Sequence, residues 1–141
     1  MNRSALAPFV CSLSLAIGAL LSLPGHSQTQ SKMTQSAGHS LQKVMAALDA
    51  AVREYRKRLS TPDANESPDR LREFDESQRK WVEFRKAACD FESSGARGGS
   101  VEPMVNSMCW ETYTHERLKH LQILLSCTEG DLSCPVPKNG T

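Results

Sequence analysis

The stretch of sequence that decides the fold is residues 67–92, SPDRLREFDESQRKWVEFRKAACDFE. Ser67, Pro68 and Asp69 together are typical of a helix start, because serine caps the first turn and proline fits the first helical position. The pattern continues until Gly95, which ends it, so we predict a helix over 67–92. The residues that recur at three- and four-residue steps and trace one face of this helix are Leu71, Phe74, Gln78, Trp81, Val82, Arg85 and Cys89.

Two further segments with the same period lie on either side of this stretch. They predict helices over 41–59 and 103–126. No stretch alternates with the period of two that indicates a strand, so the predicted fold class is all-α, a small antiparallel three-helix bundle stapled by disulfides, with no sheet. The predicted buried stripes are Leu41, Val44, Met45, Leu48, Val52, Tyr55 and Leu59 in the first helix, and Met104, Met108, Cys109, Leu118, Leu121 and Leu125 in the third.

The amino-terminal residues have the pattern of a signal peptide. Arg3 precedes an apolar run over 9–23, and a turn with small residues follows it, which predicts cleavage after Ser27. The alternative, an uncleaved anchor, is disfavoured because the run is shorter than the roughly 20 residues that a membrane-spanning helix needs. We therefore expect a periplasmic or secreted protein that is not inserted in the membrane after cleavage.

The remaining chain divides into three predicted parts. Residues 28–39 are rich in Gln, Ser and Thr and predict a disordered lead-in, 40–134 form the helical domain, and 135–141 form a flexible tail. Loss of the leader removes one basic residue and no acid, which leaves 16 basic and 16 acidic residues. A mature chain without net charge lacks the basic surface of a nucleic-acid binder, so no nucleic-acid partner is expected.

Four cysteines remain after export, and an oxidising compartment converts such thiols to disulfides. Four cysteines allow three pairings. We favour Cys89 with Cys109 and Cys127 with Cys134, because each pair brackets a segment with turn residues. A four-thiolate zinc site is the disfavoured alternative, since the intervening gaps of 19, 17 and 6 residues do not fit zinc-ligand spacing.

Nothing in the sequence has the spacing of a catalytic or metal site. His115 and His120 are five residues apart, which places their rings about 140° apart on a helix, so they do not form a zinc-protease motif. No Gly-x-Ser-x-Gly elbow occurs, and every cysteine of the mature chain has a predicted disulfide partner. We therefore predict a protein that is not an enzyme and that has no catalytic residues, no metal and no cofactor.

The loop between the second and third predicted helices is the candidate surface for a protein partner. It is glycine-rich and is held at its base by the predicted Cys89–Cys109 bridge, so it loses little entropy on binding. Arg85 and Arg117, on half-buried helix faces, need partners because a guanidinium is costly to bury alone; we expect loop carbonyls and helix ends to serve. The candidate partner-binding residues are Trp81, Arg97, Gly98, Gly99, Ser100 and Trp110.

Several of these residues together resemble the lysozyme inhibitor LprI-type domain, a family of small exported bacterial proteins. The residues that carry the resemblance are Gln78, Arg79, Trp81, Phe84, Arg85, Ala87 and Cys89, then 98–101 with Pro103 and Met104, then Cys109, Thr114, Arg117 and Leu121. Members commonly have an Asp, a Leu-Asn pair and a Tyr in the first helix; here only Asp49 and Tyr55 match.

The resemblance implies a helical, disulfide-bonded, exported protein whose founding relative inhibits lysozyme, and a structural role for Gln78, Arg85, Thr114 and Arg117. The expected partner is a lysozyme or other peptidoglycan hydrolase. The alternative function is an envelope structural, interaction or immunity module without lysozyme inhibition.

Overall fold

The computed structural model describes residues 25–60, 69–128 and 130–135. Three α-helices account for most of them: α1 (Gly25–Leu59), α2 (Asp69–Glu92) and α3 (Glu102–Ser126). A single 3₁₀ turn, Ser94–Ala96, lies between α2 and α3. No β-strand occurs in these described ranges, so the predicted all-α class is confirmed.

The helices alternate in direction as up, down and up. Arg56 of α1 forms a double ion pair with Asp75 near the start of α2, with nitrogen–oxygen distances of 2.6 and 2.7 Å, so the end of α1 lies beside the start of α2. Arg58 donates to the carbonyl oxygen of Leu125 at 2.6 Å, so α1 and α3 end at the same side of the bundle. Each neighbouring pair in sequence is thus antiparallel, as predicted, and α1 runs parallel to α3.

The core lies where α1 and α3 pack most extensively and α2 closes over them. Tyr55 and Phe74 meet at 4.8 Å between ring centroids, and Leu121 of α3 is completely buried. Charges at the helix ends support this arrangement, since the last turn of α1 is basic and the first turns of α2 and α3 are each acidic. The buried cluster consists of Leu48, Ala51, Tyr55, Phe74 and Leu121.

The predicted disordered lead-in over 28–39 is wrong, because these residues belong to α1. Gln30, Thr34 and Ala37 are half-buried at the helical spacing that continues the buried stripe upstream from Leu41. Ser40 also hydrogen-bonds the Glu111 carboxylate of α3. Polar and small residues thus keep the period of a packed helix face without the apolar side chains by which such faces are recognised in sequence.

The other two helices are found close to their predicted positions. Within α2 the predicted stripe holds for Phe74, Arg85 and Cys89, but Val82 is exposed. In α3 the exposed Met108 is the exception to the predicted stripe. The predicted Ser67–Pro68 helix start, residues 1–24 of the predicted leader and residues 136–141 of the predicted tail lie outside the described residues.

Both favoured disulfides are present. Cys89 and Cys109 join α2 to the first third of α3, and Cys127 and Cys134 join the end of α3 to the segment that follows it. All four cysteines of the predicted mature chain are therefore paired. Among the described helices, none combines the length and the apolar character that crossing a membrane requires.

Candidate functional site

The Cys89–Cys109 disulfide fixes how α2 and α3 face each other. Because the two helices are antiparallel, residues one turn before Cys89 lie opposite residues one turn after Cys109. Arg85 and Thr114 therefore meet across the interface, and so do Gln78 and Arg117 further along. The four residues for which we predicted a structural role are thus brought together in two pairs.

Arg85 is the centre of this interface. Only 4% of it is exposed, and its guanidinium carbon lies 4.6 Å from the ring centroid of Trp81 and 4.2 Å from that of Trp110. Both distances are within the range of cation–π attraction. Burial lowers the pKa of Arg85, and the Asp49 carboxylate of α1 partly opposes this effect. We call Trp81, Arg85 and Trp110 the arginine stack.

The hydroxyl group of Thr114, beside the arginine stack, forms two hydrogen bonds. The hydroxyl donates to the carbonyl oxygen of Trp110 in its own helix, and it accepts a hydrogen bond from Nη1 of Arg85 at 2.8 Å. Thr114 is completely buried, so water cannot replace either partner. This one side chain therefore orients the buried guanidinium relative to both indole rings.

Arg117 occupies a similar but less enclosed position one turn further along α3. It donates from Nε to Gln78 Oε1 at 3.4 Å and from Nη2 to Ser77 Oγ at 3.3 Å, and its guanidinium carbon lies 6.0 Å from the centroid of Trp81. Burial lowers its pKa. Both arginines thus have partners, as expected, but these partners are side chains of the facing helix; the expectation of loop carbonyls and helix ends is wrong.

The segment 93–101, which we call the anchored loop, begins four residues beyond the disulfide. Its backbone makes successive hydrogen bonds, from Ala96 N to Ser93 O, from Gly99 N to Ala96 O and from Glu102 N to Gly99 O, at 2.9–3.1 Å. The side chain of Ser93 is buried and donates to the carbonyl oxygen of Cys89. The loop is therefore held by the disulfide, by its own backbone bonds and by a buried serine at its base.

Gly98 is the turning point of the anchored loop. Its φ of +75° lies in the left-handed region that glycine adopts without steric cost, and its N–H donates to the Glu102 carboxylate at 2.7 Å. Arg97, beside it, donates to the carbonyl oxygen of Asp90 at 3.2 Å and remains exposed. The four predicted partner-binding residues 97–100 thus form one exposed turn.

The predicted partner-binding residues therefore fall into two places. Trp81 and Trp110 are half-buried in the arginine stack, whereas Arg97, Gly98, Gly99 and Ser100 lie on the far side of the disulfide, in the anchored loop. His115 and His120 are exposed, as predicted. Over the described ranges no group of three or more His, Cys, Asp or Glu side chains is arranged to hold a metal ion.

Comparison of the sequence with known proteins places the chain in a family. The model of the lysozyme inhibitor LprI family matches residues 24–121, well over half of the chain. The chain belongs to this family. An uncharacterised protein of Rhizobium meliloti (strain 1021) is 32% identical over 95 residues, which cover 67% of this chain and 68% of that protein. No solved structure matches the chain.

The part of the chain that matches the LprI family contains both features described above. It extends from just before α1 to Leu121, so it includes the arginine stack and the anchored loop. The Cys127–Cys134 disulfide lies beyond it. The family match thus covers α1, α2, the anchored loop and most of α3.

Replacing Thr114 with valine is expected to lower the free energy of unfolding by about 1–3 kcal/mol, the cost of leaving a buried donor without an acceptor. The shape of the side chain is kept, but Nη1 of Arg85 loses its 2.8 Å partner. Urea unfolding followed by far-ultraviolet circular dichroism measures the change. Thr112→Val is the matched control, because Thr112 is exposed and its hydroxyl donates to the carbonyl oxygen of Met108 within its own helix. Equal stabilities of the two variants would contradict the role given to Thr114.

Proposed function

We propose that this protein is an exported inhibitor of a lysozyme-type peptidoglycan hydrolase and that it is not itself an enzyme. The observation that carries the activity is membership of the lysozyme inhibitor LprI family over residues 24–121. The proposed contact surface is the exposed turn 97–100 of the anchored loop. The predicted leader over 1–27 agrees with this role, because peptidoglycan lies outside the cytoplasm.

The chemistry of the target favours the anchored loop as the contact. Most glycoside hydrolases hold two carboxyl groups on either side of the bond that they cleave. Arg97 gives the loop an exposed guanidinium, and a guanidinium binds carboxylates through paired hydrogen bonds. In this proposal, Arg97 enters the substrate cleft and pairs with a catalytic carboxylate, so substrate is excluded.

The rigidity of the loop also favours this role. The loop is held by the Cys89–Cys109 bridge and by hydrogen bonds within the turn, so its bound shape does not have to be selected from many others. Gly98 and Gly99 carry no side chains, which lets the backbone approach a cleft wall closely. A narrow, preformed and cationic turn suits an acidic cleft.

The test is the rate of peptidoglycan hydrolysis by several lysozyme types in the presence of the purified mature protein. We expect slower hydrolysis at micromolar protein, and we expect Arg97→Ala to raise the inhibition constant about tenfold, the effect of losing roughly 1.4 kcal/mol of binding free energy. Lys119→Ala is the matched control, since it removes an exposed cation from the last third of α3 and leaves the loop unchanged.

Two results would count against the proposal. If no lysozyme type is slowed by the wild-type protein at micromolar excess, inhibition is wrong, and an envelope interaction module without inhibitory action replaces it. If Arg97→Ala and Lys119→Ala inhibit equally well, the protein is an inhibitor but Arg97 does not carry the contact. Thermal unfolding of both variants shows whether each is folded during the assay.

A further inference from the structure

The outer side of the α2–α3 pair carries aromatic side chains that the fold leaves in solvent. Phe84 is 57% exposed and Phe91 is 78% exposed. Seven residues separate them, so they lie within about 20° of each other on α2. Tyr113 of α3 packs edge-on against Phe84, with 5.6 Å between ring centroids. We call Phe84, Phe91 and Tyr113 the aromatic face.

An exposed aromatic cluster of this kind needs an explanation. Leaving large apolar side chains in water forgoes the free energy of burying them, and contiguous exposed apolar surface marks interaction sites in soluble proteins. Phe91 lies only two residues before the anchored loop begins, so the aromatic face and the loop are continuous. A partner that contacts one of them is placed beside the other.

Carboxylates border the aromatic face. Tyr113 donates its hydroxyl hydrogen to Glu92 at 2.6 Å. This bond raises the pKa of Tyr113, and burial and the negative charges of Glu92 and Glu116 add to the effect. Within the described residues, neither glutamate forms a salt bridge with a cation. Their negative charge is therefore free to attract a partner.

The neighbouring acids on α2 differ in this respect. Asp90 is paired with Lys86, and Glu83 is paired with Arg79. The unneutralised negative charge on this side of the α2–α3 pair thus belongs to Glu92 and Glu116, whereas the exposed Arg97 provides positive charge on the anchored loop. The predicted mature chain has no net charge, but its negative charge beside the aromatic face and its positive charge on the anchored loop lie in different places.

We propose that the aromatic face, with Glu92 and Glu116, is a second contact surface that binds the cationic surface beside the cleft of a basic lysozyme. This inference rests on the proposed function. A basic lysozyme has cations on the surface around a cleft whose catalytic groups are carboxylates, so the two signs of charge on the inhibitor match the two parts of such an enzyme. Aromatic side chains dominate the energy of such contacts.

A second copy of this chain is a poorer occupant of the same face. In a twofold dimer each face meets itself, which brings the glutamates of both copies together. Like charges facing each other across an interface cost free energy, and no cation of the aromatic face offsets them. Charge complementarity therefore favours a basic partner over self-association.

The test measures association and dissociation rates with a cationic c-type lysozyme at two salt concentrations. Phe91→Ala is expected to weaken binding about tenfold, mainly through faster dissociation. Glu92→Gln with Glu116→Gln is expected to slow association about fivefold at low salt and to reduce its salt dependence, while the glutamine at 92 still accepts from Tyr113.

Matched controls remove the same groups elsewhere. Ile123→Ala removes a 56% exposed apolar side chain from the last turns of α3, and Glu54→Gln with Glu73→Gln produces the same change in net charge away from the aromatic face. Both controls are expected to bind within twofold of wild type. If they weaken binding as much as the face variants do, the effects come from general apolarity or net charge and the inference is wrong.

The outcomes separate this inference from the proposed function. If the variants of the aromatic face inhibit and their association and dissociation rate constants equal those of the wild type, the inference is wrong and the proposed function remains. Binding that depends on the aromatic face but does not slow hydrolysis supports the inference and overturns the proposed inhibition. No binding of the wild type overturns both. Sedimentation that reveals a wild-type dimer lost in Phe91→Ala also overturns the inference, because a second copy then occupies the face.

Discussion

Arg85→Ala is expected to lower the free energy of unfolding by about 3–5 kcal/mol, the range for removing a large side chain from a packed core. Arg85 is only 4% exposed, and its guanidinium carbon lies within 4.6 Å of the centroids of two indole rings. The substitution leaves a cavity between Trp81 and Trp110, removes two desolvated cation–π contacts and deprives Thr114 Oγ1 of a donor. These losses fall on the interface that holds α2 against α3.

The measurement is urea unfolding followed by tryptophan fluorescence. The chain contains two tryptophans, Trp81 and Trp110, and both belong to the arginine stack. The fluorescence signal therefore reports on the stack itself. Arg85→Lys keeps the charge but lacks the planar guanidinium, and it is expected to fall between wild type and alanine. Arg79→Ala is the control, because Arg79 is on the same helix with exposed ion pairs that contribute at most about 1 kcal/mol.

A different result would show that the stack has another role. If Arg85→Leu is as stable as wild type, the buried cation contributes nothing beyond the volume it fills. Arg85 would then determine how α2 and α3 align without stabilising their packing. The burial of a positive charge at this interface would need an explanation other than stability.

Replacing Cys89 and Cys109 together by serine is expected to affect both stability and inhibition. Chain entropy gives about 3 kcal/mol for a closed loop of this length. The anchored loop also loses the covalent link across its base, so more of the binding free energy goes into ordering it. We expect the inhibition constant to rise at least tenfold at a temperature where circular dichroism shows the variant to be folded.

The second disulfide supplies the control for this experiment. Cys127 and Cys134 close a shorter loop, whose removal costs about 2.5 kcal/mol on the same scale. This bridge is separated from the anchored loop by the whole of α3, roughly 38 Å at 1.5 Å per residue. The Cys127→Ser, Cys134→Ser variant should therefore lose stability and keep its inhibition constant. Equal loss of inhibition in both double variants would mean that stability alone, and not loop anchoring, governs inhibition.

Most of the fold was predictable because its signals are local. Apolar spacing and Pro103 at the helix start located α2 and α3 to within about two residues, the usual accuracy for helix ends. Cysteines on either side of turn segments indicated both disulfides. Nearly half of α1, the part before residue 41, was missed, since Gln30, Thr34 and Ala37 follow the helical period without being strongly apolar. Their burial depends on α3, which is distant in sequence.

The arginine stack was only half predictable. The sequence indicated that Arg85 needed a partner but did not identify Thr114 or the two indoles, because side-chain pairing depends on how α2 and α3 are aligned. A usable signal was nevertheless present. Given an antiparallel pair and the Cys89–Cys109 bridge, Arg85 lies one turn before one cysteine and Thr114 about one turn after the other, so the bridge itself predicts their contact.

The parallel packing of α1 on α3 has a consequence for the order of folding. The contacts that join these helices, such as Arg58 with Leu125, link residues 67 positions apart, whereas the Cys89–Cys109 bridge closes a separation of only 20. Short loops close at lower entropic cost, so the α2–α3 hairpin is expected to form first. During synthesis from the amino terminus, α1 is complete before α3, the helix on which it packs, has been made. The apolar side chains of Val44 and Leu48 therefore lack their α3 neighbours until the last helix has formed, and during that interval the nascent protein is open to chaperones and proteases.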